Sequence, residues 1–192
     1  MSRNPKFIVI AFLFILLIQK RGISASKFYL ELSGGGTFGG TGKVGYRIDE
    51  LYKGYNLNLL PLMSLSKDVL VGGQISYTRL YPTSNISTET YACLTKLVPM
   101  IRYVSAPEPN PEFFYQLGLG YYWLYQKFDF SDRSPHNDNK FHKNTAKDFG
   151  INLGIGFIID KKFVIYPSGD FVFHKPKMAK YFKIDFGYLF SL

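Results

Sequence analysis

Apolar side chains recur at every second position in eight separate runs of this chain. That period constrains the fold more than any other feature, because it fits extended strands with one apolar and one polar face. The first run sets Phe28, Leu30 and Leu32 against Tyr29, Glu31 and Ser33. The second sets Tyr55, Leu57, Leu59, Pro61, Met63 and Leu65 against Asn56, Asn58 and Ser64. In the third, Val69, Val71, Ile75 and Tyr77 oppose Gln74, Ser76 and Thr78; in the fourth, Tyr91, Cys93, Leu97, Ile101 and Tyr103 oppose Thr90, Lys96 and Arg102.

The second half repeats the pattern. Phe113, Tyr115, Leu117, Leu119, Tyr121, Trp123 and Tyr125 alternate with Gln116, Gly118, Gly120 and Gln126. Phe149, Ile151, Leu153, Ile155, Phe157 and Ile159 alternate with Asp148, Gly150, Asn152, Gly154 and Gly156. Phe163, Ile165, Phe171 and Phe173 oppose Ser168, Asp170 and His174, although Val164 and Val172 blur that run. Phe182, Ile184, Phe186, Tyr188, Phe190 and Leu192 oppose Lys183, Asp185, Gly187 and Ser191. Each run meets the length of about 9–11 residues that a tilted strand needs to cross a bilayer.

The connections alternate too. Residues 66–68, 105–111 and 160–161 are short or proline-stiffened, PEPNP (107–111) reading as a rigid turn. The others, 37–53, 82–88, 129–146 and a shorter one near 175–178, are longer and more polar. With both termini on one side, every short turn falls there and every long loop on the other, the asymmetry of transmembrane barrels.

Residues 1–26 read as a secretory signal peptide, followed by one barrel domain over 27–192. Arg3 and Lys6 precede the apolar run Phe7 to Ile18, and small residues place cleavage after Ala25 or Ser26. Twelve residues of helix reach about 18 Å, too short for a hydrocarbon core about 30 Å thick. Removing the segment leaves 19 Lys and Arg against 14 Asp and Glu, so the formal charge falls from +9 to +5. The remaining basic residues are scattered among aromatics with no cluster of the kind that tracks phosphates, so nucleic acid is not an expected partner. With 46% hydrophobic and 19% charged residues the chain is not disordered, and its single cysteine, Cys93, excludes an internal disulfide.

Volume decides which face meets the surroundings. An eight-stranded barrel has an interior just wide enough to be filled by side chains. The apolar face carries more Phe, Tyr, Trp, Leu and Ile than such an interior should hold. The opposite face carries Gly, Ser, Asn and Gln with a few charges, which suits a narrow, hydrogen-bonded lumen. The expected fold is therefore all-β, an eight-stranded antiparallel up-and-down transmembrane barrel, in which closure pairs every backbone donor within the protein.

In this respect the chain resembles the small eight-stranded outer-membrane barrels of the OmpA/OmpX-like superfamily. The resemblance covers residues 27–192 and is carried by QLGLGYYWLY (116–125), FGINLGIGFIID (149–160) and KIDFGYLFSL (183–192). It implies an integral outer-membrane location with both termini periplasmic, surrounding outer-membrane lipids, and a monomer; because the chain ends with the barrel, no peptidoglycan-binding domain is expected after it. It also implies a final strand, Phe182, Ile184, Phe186, Tyr188, Phe190 and Leu192, that the barrel-assembly machinery reads, Leu192 standing where the family has Phe.

Strand parity sends Glu31, Lys96, Arg102, Asp148, Asp170, Lys183 and Asp185 into the lumen. Near-balanced buried charges read as a structural plug, since each must be paired to be tolerated there. His174 at the rim lacks the serine a lipid-modifying triad would need. His136, Ser134 and Asp132 share a polar loop without fixed geometry, and the spacing of His136 and His142 matches no metal-ligand pattern. Gly34–Gly36 and Gly39–Gly40 lack the Lys-Ser/Thr and helix of a phosphate loop and read as a bend in the first strand. No catalytic machinery, cofactor or metal is expected. The expected role is structural or interactive, through loops 37–53 and 129–146, with a narrow channel and a rim lipid-modifying enzyme as the rival readings.

Overall fold

The computed structural model describes residues 27–40, 51–82, 91–105, 110–129, 141–173 and 178–192. They form eight strands: β1 (Phe28–Gly40), β2 (Leu51–Ser64), β3 (Val69–Pro82), β4 (Tyr91–Ser105), β5 (Glu112–Asp129), β6 (Phe141–Ile159), β7 (Phe163–Val172) and β8 (Ala179–Ser191). Each pairs antiparallel with its sequence neighbours, and β1 pairs with β8 to close the barrel.

The register sets the strand tilt. From Phe28 successive partners are Met63, Val71, Ile101, Leu117, Leu153, Gly169 and Phe182, and Phe182 pairs with Phe38. The circuit thus returns to β1 ten residues from its start. A stagger of ten over eight strands, at about 3.3 Å per residue and about 4.8 Å between strands, tilts the strands by about 41°.

Parity holds along every strand. The alternating large apolar residues point outward and stay exposed, among them Leu57 at 61%, Ile155 at 53% and Phe186 at 58%. Corrected for the stagger, these residues sort by height. Leu32, Leu57, Leu59, Ile75, Leu97, Leu117, Leu153, Ile155 and Ile184 form, with Phe186 among them, a mainly aliphatic central zone. Phe28, Tyr103, Phe113, Phe163 and Phe190 ring the barrel at the end that carries the termini, and Phe38, Trp123, Phe149 and Phe173 ring the other. The two aromatic girdles lie about 25 Å apart, the height of the apolar band that a transmembrane barrel presents to lipid.

Three expectations need correction. Loops 37–53 and 129–146 are shorter than the polarity pattern indicates, because Thr37–Gly40 pairs with Leu51–Gly54 and Leu124–Asp129 with Phe141–Ala146. Around 141–146 ladder pairing continues past the apolar band, and at 37–40 the glycines interrupt the alternation although Phe38 still stands at the height of the aromatic girdle. The Gly-rich segment belongs to a continuous β1 paired on both sides, and a Cβ on Gly35 would lie 1.7 Å from the carbonyl oxygen of Ile184. Glycine is required there by close backbone approach.

The third correction concerns the lumen, which is not uniformly small and polar. Leu60, Leu62, Phe114, Ile158 and Tyr166 pack one end of it, while Leu80, Leu94, Tyr122 and Tyr181 pack the other. The lumen glycines make this possible. A Cβ on Gly156 would come within 2.4 Å of Tyr166 Cβ, and one on Gly150 within 2.7 Å of the Tyr122 ring. Small residues on β6 vacate the volume that the tyrosines on β5 and β7 fill.

Between β6 and β7 the chain turns at Asp160 and Lys161, with φ of 52° and 59°, closed by the Lys162 amide donating to the Ile159 carbonyl at 3.1 Å. Asp160 also accepts from the Asn110 side chain, whose Oδ1 takes the Asp160 amide at 2.9 Å. Lys161 has no such compensation for its left-handed backbone. Lys161→Gly is expected to stabilise the barrel by about 1 kcal/mol, read from urea unfolding in lipid vesicles, whereas Asp160→Gly gains little because it loses Asn110.

Candidate functional site

The centre of the lumen holds six buried charges among the described residues, Lys96, Arg102 and Lys183 against Glu31, Asp170 and Asp185. Arg102 on β4 donates from Nη1 to Glu31 Oε2 on β1 at 2.6 Å, and from Nε and Nη2 to Gln116 Oε1 on β5 at 3.2 and 2.8 Å. Its guanidinium carbon lies 4.2 Å from the centroid of the Phe114 ring, a cation–π contact that replaces lost hydration.

Gln116 Nε2 donates to Asn152 Oδ1 at 3.4 Å, and Asn152 Nδ2 donates to Asp170 Oδ1 at 2.8 Å. The same Asp170 oxygen accepts from Lys96 Nζ at 2.8 Å and from the Tyr122 hydroxyl at 2.9 Å. Its second oxygen lies 2.6 Å from Lys183 Nζ. Asp170 on β7 is thus the hub for side chains from β4, β5, β6 and β8. Lys96 and Lys183 each have Asp170 as ion-pair partner, and Asp170 Oδ1 accepts three hydrogen bonds, which together offset the cost of holding these charges dry.

Asp185 on β8 centres a second network. It accepts from Asn56 and from Asn58 at 3.1 Å, and the Ser168 hydroxyl lies 3.5 Å from its other oxygen. Thr37 donates to Asn56 Oδ1 at 2.8 Å, Gln74 donates to Asn58 Oδ1 at 3.1 Å, and the Ser33 and Tyr166 hydroxyls lie 3.0 Å apart. Together the two networks touch all eight strands, and an apolar layer lies beyond them towards each end.

No protein-family model matches the chain, and no curated protein matches it significantly in sequence. Solved structures match it in fold. Neisserial surface protein A superposes with a TM-score of 0.59 at 10% identity, over 88% of this chain and 100% of that one. Ail, the attachment invasion locus protein of Yersinia pestis, gives 0.52 at 15% identity over 84% and 98%, and the N-terminal β-barrel domain of Pseudomonas aeruginosa OprF gives 0.50 at 16% over 86% and 100%. The chain has the fold of the small eight-stranded outer-membrane barrels.

Within this outer-membrane barrel fold, Glu31, Lys96, Arg102, Asp170, Lys183 and Asp185 come together in the lumen, whereas Asp148 is only half-buried towards the 130–140 end. The bridging amides Asn56, Asn58, Gln74, Gln116 and Asn152 all share the inward parity, so the signal for them was present. Alternation does not single out Tyr122 and Tyr166, since a tyrosine reads as apolar in such a pattern. Of the final strand, Phe182, Ile184, Phe186, Phe190 and Leu192 are exposed outward, and Tyr188 packs edge-on against Phe163 with centroids 5.4 Å apart. Residues 1–26, His136, Ser134, Asp132 and His174 lie outside the described residues, as does the side chain of His142. Among the described residues no group of three or more His, Cys, Asp or Glu side chains could hold a metal ion.

Proposed function

We propose that the protein is an integral outer-membrane barrel, closed to ion flow, that holds the segments around 41–50 and 130–140 at the cell surface for interaction with an external partner. The observation that carries this reading is the sandwich in the lumen: a charge-balanced, hydrogen-bonded centre between two apolar layers. A conducting path needs a continuous polar route, and apolar constrictions oppose ion passage by excluding water. The names of two structural neighbours, a surface protein and an attachment invasion locus protein, support a surface role over transport. Both termini and the short turns are periplasmic in this reading. A cleaved signal over 1–26 delivers the chain, and the outward final strand is what the assembly machinery recognises.

The purified protein is expected to migrate faster in SDS before boiling than after, because the closed ladder resists unfolding. In planar bilayers the same sample is expected to give no conductance steps. Steady single-channel currents that disappear in Asp170→Asn would establish the channel instead. On intact cells, in a Cys93→Ser background, a membrane-impermeant thiol reagent is expected to label Asn137→Cys but not Ser66→Cys. The reverse pattern would overturn the orientation.

A further inference from the structure

Arg79 on β3 points outward with the lipid-facing residues rather than into the lumen. Its guanidinium carbon lies 4.6 Å from the Tyr91 ring centroid and 5.4 Å from that of Tyr81. Its Nε is buried without a hydrogen-bond partner. Lys53 on β2, Lys147 on β6 and Lys180 on β8 share this outward parity and are exposed. Lys53 pairs with Tyr81, Lys147 with Trp123 and Lys180 with Phe171, so each cation sits beside an aromatic ring.

Corrected for the stagger, the four cations fall within about 4 Å of one height, level with the girdle of Trp123 and Phe149 and about 25 Å from the girdle of Phe28. Among the described side chains no acid opposes them there. Among described side chains, Glu31, Asp148, Asp170 and Asp185 face the lumen, and Asp68, Glu112 and Asp160 lie at the end with the termini. That other end mixes its charges, Lys67, Lys161 and Lys162 lying beside Asp68 and Asp160.

We infer that this belt binds the phosphate groups of an anionic lipid in the leaflet away from the termini, with Arg79 as its fixed point. Aromatic girdles lie at headgroup level, so cations at that height meet lipid phosphates rather than acyl chains or bulk water. Two tyrosines hold the Arg79 guanidinium, whose planar fork matches phosphate oxygens. The lysines lay their stems along the apolar surface and reach the same layer with their ammonium groups. Acyl chains on the apolar band below fix the phosphate above it, which a soluble phosphate lacks.

The single tryptophan, Trp123, provides the probe, because its ladder partner is Lys147. The full mature protein is refolded into phosphatidylcholine vesicles containing either brominated phosphatidic acid or brominated phosphatidylcholine at equal mole fraction, and quenching of Trp123 is compared. Phosphatidic acid is expected to quench several-fold more effectively. The variant Lys53→Gln/Arg79→Gln/Lys147→Gln/Lys180→Gln is expected to lose that preference, since each cation near an anionic surface contributes about fivefold in partition. Lys67→Gln/Lys161→Gln/Lys162→Gln, at the other end, is expected to keep it. Inorganic phosphate at matched ionic strength is expected to leave it unchanged, and displacement by phosphate would assign the site to the free ion and overturn the lipid. Equal quenching by the two lipids in the native chain, or equal loss in both variants, also overturns the inference. Where the fourfold variant fails to fold, Arg79→Gln and Lys147→Gln singly are expected to weaken the preference, and the inference fails if neither does.

Discussion

Asp170→Ala is expected to destabilise the folded barrel by about 3–5 kcal/mol, the cost of breaking a buried ion cluster by removing one partner. The loss is large because Lys96 and Lys183 are both fully buried and both held by this one carboxylate, so its removal leaves two like charges facing each other in a dry lumen. Tyr122 and Asn152 lose their acceptor at the same time. Arg102→Ala leaves a single carboxylate, Glu31, without its guanidinium and is expected to cost somewhat less. Lys67→Ala, in an exposed turn, is expected to fall within about 0.5 kcal/mol of the native chain. Urea titration of vesicle-folded protein, followed by tryptophan fluorescence, measures all three. Equal small shifts would mean that the lumen is hydrated and that its charges do not depend on one another.

Ile155→Arg is expected to cost roughly 2–4 kcal/mol in folding into bilayers, while Phe149→Arg, on the same face of the same strand, is expected to cost about 0–1. Both side chains point outward, Ile155 at 53% and Phe149 at 42% exposure, so their difference lies in depth. Ile155 sits in the central aliphatic zone and Phe149 in the girdle beside Lys147. An arginine at the girdle reaches headgroups, whereas one at the midplane drags its charge into hydrocarbon. The measurement is folding free energy into vesicles for both variants. Equal tolerance of the two, or folding of the native chain without lipid, would show that the apolar face does not meet a membrane.

The strands and their faces were readable from the sequence because alternation is a local property of the chain. Phe28 to Ser33 declares its two sides without reference to any other strand, and so does Phe149 to Ile159. Inward parity likewise assigns Arg102, Asp170 and Asp185 to the lumen without reference to any partner. Alternation reads less well where the environment changes along a strand. At residues 141–146 the ladder extends beyond the apolar band, and polarity alone assigns those residues to loops; at 37–40 the glycines interrupt the alternation of a strand that still carries Phe38 in the girdle.

Pairing inside the lumen was decided only by closure. Glu31 and Arg102 lie 71 residues apart and meet because β1 and β4 are brought to matching heights by a stagger of ten. Nothing local encodes that number, which emerges from eight ladders that must all register at once. The same stagger gathers Lys53, Arg79, Lys147 and Lys180 into one belt, though along the chain they read as basic residues dispersed among aromatics. Period and parity are written residue by residue, so the sequence alone determined strands, faces and the membrane-spanning class. Height around a tilted, sheared barrel is a property of the whole sheet, and only the tertiary structure decided which charges meet and where they stand.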